Sequence, residues 1–181
     1  MSNSTSLEEA NLTEVDLREA NISISLLLDT NLTKANLTRA NLRGADLTRA
    51  NLAEANLAYA NLINANLTDA RLTNANFINA NLLAADLTEV YAIGTNLYQV
   101  NLIRANLEFA NLSNANLSNA NLTDANLEDA WLTSAQLNNA NLTRANLRGA
   151  DLSNANLNGA ILINTNLTDA NVSKTNLSQL G

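Results

Sequence analysis

The side chains able to do chemistry in this chain are of few kinds. There are 17 Asp and Glu against 10 Lys and Arg, with neither His nor Cys. Imidazole acid–base work, thiolate nucleophiles, structural zinc and haem ligation therefore lose their usual donors, and no cofactor or metal is expected. Disulfides are impossible, so cysteine usage indicates no redox compartment. Carboxylates remain, and carboxylate catalysis needs a cleft that excludes water and shifts a pKa. Asp16, Asp46, Asp86 and Asp151 occupy a position that is otherwise mostly Asn, which marks them as structural. The other acids fall at variable positions that read as exposed. No nucleophile–base pair is evident, and the chain is read as not an enzyme.

Charge narrows the partners. A net charge of −7 argues against direct nucleic-acid binding and against attraction to anionic membranes. Met1 to Leu7 carries neither a basic region nor a hydrophobic run, so no signal peptide is expected. Runs such as Leu26-Leu27-Leu28 fall far short of the roughly 20 apolar residues of a membrane helix. No membrane association and a cytoplasmic location are expected.

The element that positions these groups is a repeat. Stepping by five from Leu7 to Leu177 gives 35 centres without insertion or deletion, and 31 are Leu; Ile22, Phe77, Ala92 and Val172 are the others. Two residues before the centre, 26 of 35 are Ala, and one before it 28 of 35 are Asn or Asp. This period fits neither a helix nor a regular strand. Ala and Leu favour helix, but Asn at every fifth residue competes for backbone groups and favours turns. A chain that turns a corner every five residues answers the pattern, with Leu and the small residue inward and the other three outward.

Units such as Ala35-Asn36-Leu37-Thr38-Arg39, Ala65-Asn66-Leu67-Thr68-Asp69 and Ala125-Asn126-Leu127-Glu128-Asp129 resemble the pentapeptide-repeat family, whose pattern is A(D/N)(L/F)xx. The resemblance runs from about Thr5 to Gln179. It implies an all-β fold, a right-handed quadrilateral β-helix with four pentapeptides per coil, hence about nine coils stacked at the ~4.8 Å strand spacing. Residues 1–4 are then a leader, 5–179 a single repeat domain and 180–181 a tail. Stability should be close to a sum over neighbouring coils.

Projected on such a coil, the outward residues sort by face. Face 1, with centres Leu7, Leu27, Leu47 and so on to Leu167, carries Glu8, Glu9, Asp29, Asp69, Glu89, Glu108, Glu128, Asp129 and Asp169, opposed by Arg49 and Arg148. This candidate acidic face is either a solvated surface that resists aggregation or a strip offered to a basic partner. Ile63, Leu83 and Ile103 stack on one face, Ile78 and Tyr98 on the face before it, and Ile93 one face earlier. Such ladders favour stacking or mark a partner contact, and these six form a candidate interaction patch. Nearby, Ala92 stands for a central Leu while Val90, Thr95 and Val100 replace Ala, which reads as compensated packing, with a shallow functional dent as the alternative. Arg71, Tyr91 and Trp131 replace Asn on one face, with Arg71 and Tyr91 within cation–π reach in adjacent coils.

A rod with flat faces and no cleft has no evident place for chemistry, and a rigid scaffold for an unidentified protein partner is expected. The resemblance agrees, since family members with known roles bind proteins. It also implies an alternative, a DNA-mimicking modulator of a DNA-binding protein such as gyrase, because gyrase-interacting members resemble B-form DNA in shape and charge. The almost uniform Leu centres, with Phe77 the one Phe among them, depart from those members. After Leu177 only Ser178 to Gly181 remain, so a homodimer through bare coil ends is a further expectation.

Overall fold

The structure, a computed structural model, describes residues 6–176. Every β-bridge joins parallel residues twenty apart, from Ser6 with Leu26 to Asp151 with Asn171. One coil is therefore twenty residues and four pentapeptides. Coil 1 is 6–25, coil 2 is 26–45, and so on through coil 8 at 146–165, with 166–176 beginning a ninth. Each pentapeptide contributes one bridging residue, at the Asn position, followed by a turn. The segment Ile22 to Leu28 stays in register, bridging through Asn21 to Asn41 and through Leu26 to Asp46.

The five residue positions follow from where five N–H groups go, taking 66–70 as the example. The Asn66 N–H donates to the Ala45 carbonyl, twenty-one residues back, at 3.0 Å, and the Leu67 N–H to the Asp86 carbonyl of the coil after at 2.7 Å. The Asp69 N–H also crosses to the next coil, at 3.0 Å to the Thr88 carbonyl. The Ala70 N–H closes the corner on the Leu67 carbonyl at 2.9 Å. That leaves Thr68, whose N–H donates to the side-chain oxygen of Asn66 at 3.0 Å. All five donors are paired, which a close-packed backbone requires. The Asn position is thus the Asx-turn acceptor that no apolar residue can supply.

At the corner the second outward residue takes a left-handed backbone, φ 53–69°, whatever its identity. With the corner hydrogen bond, this is the sign pattern of a type II turn. Four of these corners are Gly, at 44, 94, 149 and 159; most of the rest are Asn, Asp, Glu and Arg.

The core is the Leu and Ala columns. From Leu27 to Leu157 the central residues are buried, Phe77 and Ala92 included, and so are the small residues two before them. Burying each Leu contributes about 1.5–3 kcal/mol relative to exposure. Val90, Thr95 and Val100 are all buried beside Ala92, in line with compensated packing. The Thr95 hydroxyl donates to the Leu72 carbonyl at 2.7 Å, and Thr30 and Thr165 bond the Leu7 and Leu142 carbonyls in the same way. Among the described residues no buried side-chain polar atom lacks a partner. Toward the two ends of the described stack the centres Leu7, Leu12, Leu17, Ile22, Leu162, Leu167 and Val172 are half-buried. The expectation drawn from Ser178 to Gly181 lies outside the described residues. Among the described residues no helix is long and apolar enough to cross a membrane.

Candidate interaction surface

The outward positions are not equally outward. At the Asn position and the first residue after the centre, side chains lie over their equivalents in neighbouring coils and are mostly half-buried; the second residue after the centre stands out at the corner. This gradation decides which sequence-level candidates are available to a partner.

Of the apolar set, Ile63, Ile78, Leu83, Tyr98 and Ile103 are half-buried, because each occupies the first position and is covered by its neighbours in the stack. Ile93 alone of the six is exposed, at 38 %. The structure thus brings Ile63, Leu83 and Ile103 together as a ladder on face 4, with Ile78 and Tyr98 on face 3 and Ile93 on face 2.

The acidic residues of face 1 do fall in two adjacent columns. Arg49 grips Asp29 in a two-point ion pair, Nε to Oδ1 at 2.8 Å and Nη2 to Oδ2 at 2.6 Å, and these bonds hold the Asp29 carboxyl below its ordinary range. Arg148 pairs with Glu128. Among the described residues, Glu8, Glu9, Asp69, Glu89, Glu108, Asp129 and Asp169 have no ion-pair partner. Face 1 therefore keeps most of its negative charge uncompensated.

The large exposed apolar side chains lie elsewhere than in the Ile63–Ile103 ladder. Tyr91 (52 %), Phe109 (49 %) and Trp131 (59 %) are exposed together at the corner between faces 1 and 2. Phe109 belongs to the column Asp69, Glu89, Phe109, Asp129, and Tyr91 and Trp131 to the column Arg71, Tyr91, Asn111, Trp131. Only one inward residue per coil separates the two columns. Between them opens a depression of ≈ 300 Å³ lined by Glu89, Val90, Tyr91, Phe109, Asn111 and Trp131. A second depression continues along the same corner past Asp29, Arg49, Asp69 and Arg71 to Tyr91. Acidic strip and aromatic cluster are one edge of the rod.

Tyr91 and Trp131 come at a local cost. Each stands where Asn would accept the N–H of the first outward residue, and the N–H groups of Ile93 and Thr133 have no side-chain acceptor. A hydrogen bond of that kind is worth about 0.5–1.5 kcal/mol. The expected contact of Arg71 with Tyr91 does not form. Instead Arg39 lies over the Tyr59 ring, 5.7 Å from its centroid, one coil apart at adjoining corners of face 3. Nothing in the sequence distinguishes Phe109: it is an ordinary variable residue on an acidic face, and only its corner position makes it exposed.

A family model for pentapeptide repeats (eight copies) matches residues 30–69, 65–102, 101–139 and 140–179. Among solved structures the chain is similar to HetL, a pentapeptide repeat protein involved in heterocyst differentiation regulation from the cyanobacterium Nostoc sp. strain PCC 7120. The two share 32 % identity over 95 % of this chain and 89 % of that one, with a TM-score of 0.49. It is similar also to QnrB1, a plasmid-mediated fluoroquinolone resistance protein, at 18 % identity over 98 % of this chain and 86 % of that one, TM-score 0.48. A pentapeptide repeat protein of the Arabidopsis thaliana thylakoid lumen shares 30 % identity over 59 % of this chain and 67 % of that one, TM-score 0.25. No curated protein matches the sequence.

Proposed function

The chain belongs to the pentapeptide-repeat family, and on that premise we propose that it is a non-enzymatic, rigid scaffold that holds a protein partner against its outer surface. The observation that carries this reading is the uncompensated negative charge of face 1, continuous with exposed aromatic side chains along one edge. Charge of one sign on a fixed lattice steers an oppositely charged partner and sets its register. Because the backbone bonds are satisfied within the stack, the faces are presented without reorganisation on binding. The right-handed sense of the coil and a cytoplasmic location are part of the same reading.

The acidic face is one proposed surface, and the ladder Ile63, Leu83 and Ile103 with Ile78, Tyr98 and Ile93 is the other. Co-purification from the native cell separates them. A variant with Asp69→Asn, Glu89→Gln, Glu108→Gln and Asp129→Asn is expected to lose the partner that the wild-type chain retains. If that variant keeps the partner while Ile63→Lys with Ile103→Lys loses it, the ladder is the contact. If both keep it, neither surface is.

The acidic face also favours a second reading, a DNA-mimicking modulator of a DNA-binding protein such as gyrase. Added protein would then inhibit or protect gyrase in a supercoiling assay; no effect at about micromolar protein, an ordinary affinity for specific contacts, removes it. A homodimer through coil ends belongs to the same reading, and sedimentation of the purified chain tests it: a monomer across the concentration range rejects it.

A further inference from the structure

We infer that the notch between Tyr91 and Trp131 receives an arginine side chain carried on a basic segment of a partner protein; this rests on the scaffold reading and names the chemistry of what the scaffold holds. Tyr91 and Trp131 occupy one column two coils apart, with the smaller Asn111 between them. Two coil spacings are about 10 Å, so a cation seated over Asn111 lies about 5 Å from each ring, within the roughly 6 Å reach of a cation–π contact. Phe109 and the Glu89 carboxylate line the same depression. Asp69 and Asp129 continue the Glu89–Phe109 column one coil to either side, and Arg71 is the one cation in these two columns from coil 4 to coil 7.

A guanidinium fits this setting better than an ammonium. It is flat, stacks on aromatic faces and presents a fork of donors to a carboxylate. The rod already holds one arginine over an aromatic ring within itself, Arg39 over Tyr59 in the corner column of face 3. The sequence also departs from its own rule here. Tyr91 and Trp131 each displace the Asn that would cap the turn, and Tyr91 deprives the Asn111 amide of the ladder acceptor that Asn81 gives Asn101 in a regular column. Departures that surrender local bonds for exposed aromatic surface are where binding is expected.

Trp131 is the only tryptophan of the chain, so its emission reports on the notch. The full chain is titrated with a capped peptide alternating Arg and Gly, and with the same peptide carrying lysine or citrulline in place of Arg. A saturable change in Trp131 emission is expected with the arginine peptide, a weaker response with lysine and none with citrulline. Tyr91→Asn restores the repeat residue and its turn hydrogen bond, so it should keep or raise the thermal midpoint while weakening the arginine peptide about tenfold, the scale of one desolvated cation–π contact. Unmoved emission at saturating peptide overturns the inference, as does equal binding of the lysine or citrulline peptide, or unchanged affinity in Tyr91→Asn. If the four-residue face-1 variant loses affinity and Tyr91→Asn does not, the notch is rejected while the acidic-face reading stands.

Discussion

Ile24 is the residue least suited to where it sits. It is β-branched, 57 % exposed, and held at φ 57°, a region that costs an L-residue about 1–2 kcal/mol and spares Gly and Asn. Ile24→Asn should therefore stabilise by about 1 kcal/mol, raising the thermal midpoint by roughly 2–4 °C; an unchanged or lowered midpoint would mean its side chain packs more than its exposure suggests. The corner glycines give the converse test. A Cβ on Gly149 would overlap the Asp129 carboxylate oxygen of the coil before, whereas a Cβ on Gly44 would meet only Ile24 Cγ1, at 3.8 Å. Gly44→Ala then carries the backbone cost alone, about 1 kcal/mol, and Gly149→Ala carries that plus the overlap, to about 2–3 kcal/mol. Removing the carboxylate in Asp129→Ala should return Gly149→Ala to the Gly44→Ala cost, read from denaturant melts of the single and double variants. Equal costs for the two glycines in the wild-type background would reject the overlap.

Within one element, the Asn column is an amide ladder whose members are not interchangeable with Asp. Asn146 donates to Asn126 Oδ1 at 3.0 Å and to Glu128 Oε2 at 3.0 Å, while its own Oδ1 accepts from Asn166 at 2.9 Å. Asn146→Asp keeps the acceptor, loses both donations and sets a second carboxylate against Glu128. A loss of about 1–3 kcal/mol is expected, with partial recovery in Glu128→Gln. The aspartates already in the chain set the acid limit. Asp151 is held below the ordinary value of 3.8 chiefly by the Ser153 N–H, and Asp16, Asp29 and Asp124 by hydrogen bonds from Arg18, Arg49 and Arg144. A folded-state pKa below the unfolded one means stability present above 3.8 and lost as pH falls through the folded values. Thermal midpoints should hold down to about pH 4 and then drop, and Asp151→Asn should flatten that drop; a midpoint that falls already between neutral pH and 5 would point to other groups. The five-residue phase and the assignment of residues to faces were legible in the sequence because Leu and Asn each mark a fixed position. The exposure gradient was not. It depends on the left-handed corner, which the chain builds from Glu, Arg and Asp as readily as from Gly, so no residue type announces it. That is why Ile63, Leu83 and Ile103 read as outward and are half-buried, while Phe109 beside Glu108 reads as one more variable residue and is exposed.

For the whole molecule, equivalence of the pentapeptides means that the stack and the edge it carries can be separated. Each unit pairs with the units twenty residues before and after it, and its neighbours are near copies of itself. Deleting residues 116–120 removes one unit without breaking the repeat phase, since 121–125 offers the same Asn-Leu-x-x-Ala frame. Stability in such arrays is close to a sum of unit and neighbour terms, so the shortened chain should still fold and lose only a few degrees in its melt. Every residue beyond the deletion, however, moves round by one face. Trp131 then takes the place of residue 126 on face 1 and leaves the column of Tyr91, and Asp129 and Asp169 leave the corner shared with Glu89. Deleting the full twenty residues 101–120 keeps the faces aligned but brings Trp131 directly above Tyr91, closing the gap that an arginine would enter. Both shortened chains are expected to keep the β-type circular dichroism of the parent, and both to lose the Trp131 response to the arginine peptide. If the five-residue deletion unfolds the chain, the coils are not independent units. If it folds and still responds, the notch is not what binds, and the partner reads charge on the rod without regard to which face carries it.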